Sequence, residues 1–459
     1  MREMEGAVEL PKVLLSRISS AATEIDRHSD IRVISHYDAD GISSAGVICN
    51  ALLRKGKRFQ ATLAKSLDAK MIRSLAAENA ECLVLADMGS SYLKELEELD
   101  SKVIVLDHHS LQGDSEKVIY VNPHMSGIDG MTGCSASAVC MLLAARMSEG
   151  NWSLLPVAFG GIVGDRQHIR GLSGVNAYLL QEGVKRKIVE VQQGYILPPG
   201  PLGQALSSSI DPYIIGVSGN EKGAKDLLSE AGVPEDASLE NLKESAKRKL
   251  ASILTLMLLK QGCSLSTLEE LSTDRYYFPE WKVSASDLAS LFNACGRTDH
   301  EGIGLGYALR DQRSMEEATK LRKEYKRSVL VSLQKIESKG LSKMDHLQYF
   351  YSDNPSLSGM VCGLTMQYLG DRDRPTIALS IVGDSTRISS RATFDILAKG
   401  VDLATGLREA AAYVGGVGGG HAIASGATIA RGKEEEFLKK LNELFGVQKA
   451  TRAAASSAK

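Results

Sequence analysis

Aromatic side chains are scarce in this sequence, at 5% of residues with only two tryptophans. Little surface is therefore available for stacking. Charge of one sign is missing too: 54 Lys and Arg against 56 Asp and Glu leave a formal net charge of −2. The basic balance that marks many nucleic-acid binders is absent. A local basic groove or bound divalent cations would escape that count, so net charge excludes nothing. The seven cysteines are odd in number and form no CxxC pair. That argues against a disulfide framework or a zinc ribbon and for reduced, buried thiols. No GxxxxGK[ST] occurs, so ATP-driven translocation finds no support. Residues 1–29 are charged and amphipathic without a hydrophobic signal core. No apolar run is long enough to span a bilayer, and the uncharged stretch before Arg431 is broken by glycines. The expectation is a cytoplasmic protein with no membrane segment.

What is present is a soluble globular composition, 43% hydrophobic and 24% charged over 459 residues, with 43 glycines for tight turns. That length predicts two to four domains. Apolar positions Val8, Leu10, Val13, Leu14, Ile18, Ala22 and Ile25 recur at helical spacing, and residues 7–28 read as an opening helix. Short apolar runs then alternate with helical patterns: strands at 31–35, 82–86, 103–106 and 118–121, with a helix over 41–55. Such alternation implies βαβ units and a parallel sheet. Residues 223–272 read as a helical insertion, 310–338 as one long charged helix, and strands return at 346–351, 375–382 and 427–430. The expected fold class is α/β, in two lobes with a cleft between them. The expected organisation is a catalytic domain over 1–200, a linking region over 201–309, a bridging helix over 310–339, a substrate-binding domain over 340–448 and a disordered tail over 449–459.

The chemistry gathers where strands end. The run 31–35 leads into His36, Asp38, Asp40 and Gly41; 82–86 into Asp87; 103–106 into Asp107, His108 and His109; and the apolar run Phe159–Gly164 into Asp165. Ligands of open parallel sheets bind beyond the carboxyl ends of the strands, so these side chains converge on one edge. One acid after a strand is usually a helix cap or a solvated turn. Five carboxylates and three histidines together would repel and raise one another's pKa unless divalent cations neutralised them. A mixed carboxylate and imidazole set suits Mn²⁺, with Mg²⁺, Zn²⁺ or Co²⁺ as alternatives. Asp38 and Asp40, two apart in a turn, could hold one ion each.

These residues resemble the motifs of the DHH phosphoesterase superfamily. The first is similar to His36-Tyr-Asp38-Ala-Asp40-Gly41, the second centres on Asp87, the third is Asp107-His108-His109 and the fourth Asp165. Glycine-rich 415–421, ending in Gly418, Gly419, Gly420 and His421, resembles the loop of the associated DHHA1 domain. Asn293–Arg297 resembles a stretch of archaeal RecJ-like proteins. The resemblance implies that His36, Asp38 and Asp87 bind one manganese. It implies that Asp40, Asp87, His108 and Asp165 bind a second, with Asp87 bridging. His109 would contact the scissile phosphate and Asp107 would orient the histidine pair. In the second lobe the glycine backbone and His421 would meet a phosphate, and Arg387 and Arg391 would grip a neighbouring or terminal one.

Weaker signals stay open. Lys320, Arg322, Lys323, Lys326 and Arg327 interleave with Glu316, Glu317 and Glu324, which reads as a solvated face rather than a nucleic-acid track. Asn122-Pro-His124 follows a strand and either sits beside the site or leaves His124 to cap a loop. His168 is a candidate support behind the acids, and Arg297 either meets substrate or fixes an interface. Trp152 and Trp281 read as packing residues. The resemblance implies a Mn²⁺-dependent exonuclease that degrades single-stranded DNA, or RNA, to mononucleotides in replication or repair. The insertion is the expected docking surface for the GINS replication complex. The rivals are a phosphodiesterase for short oligonucleotides or cyclic dinucleotides, and a non-catalytic replication subunit.

Overall fold

The computed structural model describes residues 8–169, 171–197 and 200–457. It divides into two compact units, one ending at Gly194 and taking up Thr273–Lys323, the other formed by Tyr195–Ser272 and Glu324 onward. The linking region expected over 201–309 is thus shared between the units at Ser272.

In the first unit, α1 (Lys12–Arg27) precedes β1 (Asp30–His36), α2 (Ala39–Arg54), β2 (Arg58–Ala64), α3 (Ala69–Glu78), β3 (Cys82–Ala86), α4 (Leu93–Glu97), β4 (Lys102–Leu106) and β5 (Val118–Val121). The five strands pair in parallel in the order β2-β1-β3-β4-β5. Strands β3 and β4 are apolar almost throughout, and β1 is buried from Ile31 to Ser35, because both faces are covered. Ile31, Val33, Val84 and Ile104 face one core, with α1 and α2; Ile34, Leu83, Leu85 and Val105 face another, with α3 and α4. The order reverses between β1 and β3, and the crevice at such a switch point is where ligands bind.

Three helices follow, α5 (Ala136–Met147), α6 (Leu155–Gly164) and α7 (Gly174–Lys185). The run expected to lead into Asp165 as a strand is the helix α6. Nine of its ten residues are buried. A short apolar run buried on every side carries neither the helical nor the strand period, so its type is not readable from pattern. The edge strand β2 and helix α3 lay outside the sequence reading. A small antiparallel sheet of β6 (Glu190–Gln192), β7 (Arg275–Phe278) and β8 (Val283–Ser284) leads to helix Ala285–Arg297, which packs on α2 and α6.

The second unit is built on β9 (Ser342–Lys343), β10 (Gln348–Tyr351), β11 (Thr376–Val382), β12 (Ser385–Arg391), β13 (Val417–His421) and β14 (Ala424–Ala430), in the order β13-β14-β12-β11-β10-β9. Its core joins Ile388, Ala427 and Ile429 to Leu407, Ala410, Phe437 and Phe445 of two covering helices. Helices Glu221–Ala231, Glu244–Lys260 and Leu265–Leu271 form the expected insertion. Two expectations are corrected. The glycine-rich segment is the edge strand β13 rather than a loop, because pairing with β14 supplies order that glycine lacks by itself. Residues 449–457, expected to be disordered, continue helix Glu434–Ser457; alanine-rich sequence extends a helix readily once one is nucleated. Residues 458–459 and 1–7 lie outside the described residues. All seven cysteines are buried and free. Among the described residues no helix is long and apolar enough to cross a membrane.

Candidate metal centre

At the end of β1 the chain turns sharply. Asp38 caps α2 by accepting the Gly41 N–H at 3.1 Å. Only glycine fits at 41, since a Cβ there would lie 2.1 Å from the His36 carbonyl oxygen. The turn sends the two acids different ways. Asp38 Oδ2 lies 3.1 Å from His36 Nδ1. Asp40 is fully buried and accepts the Ala136 and Ser137 N–H groups, at 2.8 and 3.1 Å, from the first turn of α5. A helix N-terminus is a natural seat for such a carboxylate.

Asp87 follows β3 with φ +56°, an uncommon conformation for a non-glycine residue and one that clusters at functional sites. Its Oδ2 lies 3.4 Å from His36 Nδ1 and its Oδ1 3.4 Å from His108 Nε2. That Oδ1 is buried with no hydrogen-bond partner. Beyond β4, Asp107 accepts from the N–H groups of Ser90, His108 and His109 and from His109 Nδ1 at 2.7 Å. Asp165 comes from the C-terminal end of α6 and stands 3.3 Å from His108 Nε2. Helix α6 comes this near because Gly161 has no Cβ, which would sit 2.3 Å from Asp40 Oδ1.

Three ligand sets result, each with atoms within 4.8 Å of one another: His36, Asp38 and Asp87; Asp40, His108 and Asp165; and Asp87, Asp107, His108 and His109. The seven acids and histidines named from sequence beside His36 are thus brought together, and Asp87 stands in two of the sets. The Asp107 carboxylate is occupied by its bonds from Ser90, His108 and His109.

The electrostatics are those of a site short of positive charge. Burial pushes Asp40 up to about 6, helped by the Asp87 charge. Burial and the Asp40 and Asp87 charges raise Asp165 as well. Burial works against charge on His36, but its bonds to Asp38 and Asp87 prevail and lift it to about 11. His108 is raised likewise, burial being outweighed by Asp87, Asp165 and Asp40. Asp107 is held well below the usual range, its burial overcome by His109, His108 and Ser90. An orphaned central carboxylate oxygen among imidazoles and carboxylates fits a pair of divalent ions.

Arg297 ends its helix beside this turn: Gly296 packs on the Tyr37 carbonyl, and the guanidinium lowers the pKa of Asp38 after burial and His36 have had their larger effects. His168 is pulled down to about 4 by burial and Arg166, and stays neutral. Asn122, in the stretch 122–124 that the sequence set beside the site, is buried and donates to Ser90 Oγ and the His109 carbonyl. Sequence reading missed Gln167 and Asn176, since buried amides leave no signature in charge or period.

In the second unit, register puts Arg391, Ala424 and His421 in one row and Arg387, Thr428 and Val417 in another, all on one sheet face. Arg387 is exposed, and Arg391 lies beside Gly359 at the start of helix Ser358–Tyr368. Gly418 and Gly420 point the other way; Gly418 lies against the Leu407 carbonyl, where a side chain has no room. Gly419 faces open space.

The profile of the DHH family, N-terminal domain, matches residues 30–160, and that of the DHHA1 domain matches 347–446. An uncharacterized protein of Methanocaldococcus jannaschii is 30% identical over 445 residues, 95% of this chain and 98% of its own. Among solved structures, CDC45 from Entamoeba histolytica covers 94% of this chain and 98% of its own with a TM-score of 0.63 at 11% identity. Exonuclease RecJ bound to manganese covers 96% of each chain with a TM-score of 0.57 at 15% identity. RecJ from Thermus thermophilus in complex with Mn²⁺ gives 0.58 at 16%, and this chain spans 55% of its length. At these identities the likeness to the solved structures is one of fold. With both domain profiles in order and a relative matched over 95% of this chain, the chain belongs to the DHH superfamily, on a fold similar to that of RecJ.

Proposed function

We propose that this protein is a two-metal phosphodiesterase that removes mononucleotides from an end of single-stranded DNA, with single-stranded RNA as the second substrate to test. The observation that carries the reading is Asp87 Oδ1, buried and without a donor between two ligand sets. His36, Asp38 and Asp87 would hold one ion; Asp40, His108 and Asp165, with Asp87, the other. Mn²⁺ suits these donors best, and Mg²⁺ and Co²⁺ are alternatives. Bound there, such a pair supplies Lewis acidity and an acidified water. His109, whose side chain is half exposed, turns Nδ1 to Asp107 and is raised in pKa by that bond. Its other nitrogen is then a charged donor for a phosphate oxygen. Arg297 adds positive charge beside Asp38. Arg387, Arg391 and His421, on one face of the second unit, would bind further phosphates, with the β13 backbone contributing N–H groups at the edge of the sheet.

Two other readings have observations in their favour. The fold likeness to CDC45 suits a non-catalytic replication subunit, against which the complete acid set speaks. Helix Glu244–Lys260 and its neighbour expose Leu256, Leu259 and Leu265, which supports docking of a replication partner such as GINS on the insertion. Pull-down with Leu256→Glu and Leu265→Glu should lose such a partner.

The test of the main reading is a Mn²⁺ time course on single-stranded DNA and RNA oligomers labelled at either end, beside dinucleotides. Stepwise shortening of long strands supports it and reads out polarity. Hydrolysis of dinucleotides alone supports the small-substrate phosphodiesterase, and no turnover supports the structural subunit.

A further inference from the structure

His108 Nε2 points at Asp165, Asp87 and Asp40, at 3.3, 3.4 and 3.9 Å. An imidazole can ligate through Nε2 only if its proton sits on Nδ1. Nδ1 lies 2.6 Å from the Gly130 carbonyl oxygen, which can only accept, so Nδ1–H is the donor there. The same carbonyl accepts the Gln167 side-chain NH₂ at 2.9 Å. Gln167 Oε1 accepts from the Asn176 NH₂ at 2.7 Å, and Asn176 Oδ1 accepts from the Ser135 N–H at 3.4 Å. Gln167 and Asn176 are 4% and 0% exposed.

The direction of this chain is fixed at its far end. The Ser135 N–H can only donate, which turns the Asn176 oxygen toward it and the Asn176 NH₂ toward Gln167. That in turn presents the Gln167 NH₂ to Gly130. A reversed Gln167 would set oxygen against oxygen at Gly130 and offer His108 a rival acceptor, since Gln167 Nε2 lies 3.4 Å from Nδ1. We propose that Gln167 and Asn176 are positioning residues which, through the Gly130 carbonyl, fix the tautomer and ring angle of His108 and so tighten the ion position formed by Asp40, His108 and Asp165. They touch neither ion nor substrate. The inference rests on the two-ion reading above.

The test is calorimetric titration of the metal-free, full-length protein with Mn²⁺, without nucleic acid. The wild type should show two binding events, and Asp165→Asn marks which belongs to the Asp40, His108 and Asp165 position. Gln167→Leu should weaken that event by roughly 10–100-fold and leave the other unchanged. Asn176→Asp, nearly isosteric, still accepts from Ser135 but cannot donate to Gln167; it should weaken the same event. If Gln167→Leu fails to melt cooperatively, Asn176→Asp alone decides. Wild-type affinity at both positions in a folded variant overturns the proposal, as does equal weakening of both events, which marks general destabilisation. A wild type that binds no Mn²⁺ defeats the two-ion reading and this inference with it; two normal events in wild type and variants defeat this inference alone.

Discussion

The two units handle charge in opposite ways. The first concentrates carboxylates at a buried sheet edge, where Asp40 is fully buried and Asp87 is 4% exposed. The second sets Arg387, Arg391 and His421 on one face of a sheet, with Arg387 exposed and Arg391 beside helix Ser358–Tyr368. A buried acid cluster is unstable by itself without cations to neutralise it; arginines on a sheet face need no such help and suit a polyanion held by exchangeable contacts. Chemistry and grip should therefore be separable by mutation.

The largest separation is expected from Asp87→Ala. Hydrolysis of single-stranded DNA should fall by at least ~10³-fold while equilibrium binding of the strand persists; loss of both in step would merge the two roles. Next comes Arg391→Ala, which should raise KM by about 10–100-fold with kcat little changed, as for a lost charged hydrogen bond. Its binding should also lose about one unit of salt slope.

A third effect follows from the acids alone. Asp40 is raised in the folded protein to about 6, above the ordinary value of about 4. The stability its protonated form contributes is present below about pH 4 and lost as pH rises through 6. Asp165 shifts in the same direction. The contribution of His36, raised to about 11, stays complete across this window, as does that of Asp38, lowered to about 2. Melting in EDTA should therefore lose stability between pH 4 and 6, and added Mn²⁺ should restore more of it at pH 7 than at pH 4.5. A metal-induced shift in Tm independent of pH would contradict this. The smallest effect is expected from Lys323→Ala with Arg327→Ala: on a solvated helix face the pair should change strand affinity by no more than about twofold.

The sheet edge was legible because β3 and β4 are apolar runs that end abruptly in acids, a pattern that a parallel sheet covered on both faces imposes, and because Ile31, Val33 and Ile34 of β1 lead into His36 and Asp38. Asp165 was legible as a member of the acid cluster but not in its setting, since α6 is too short and too uniformly apolar to declare its period. Strand β13 was hidden by its glycines, which owe their extended form to β14. The relay of Asn176, Gln167 and Gly130 was invisible. Its residues carry no charge and keep no fixed spacing, and only the folded chain brings 130, 167 and 176 to one histidine.

The most direct measurement is anomalous diffraction from crystals of the protein grown with Mn²⁺. Two peaks about 3.5–4 Å apart on either side of the Asp87 carboxylate are predicted. One peak away from Asp87, or none, would contradict the two-ion centre.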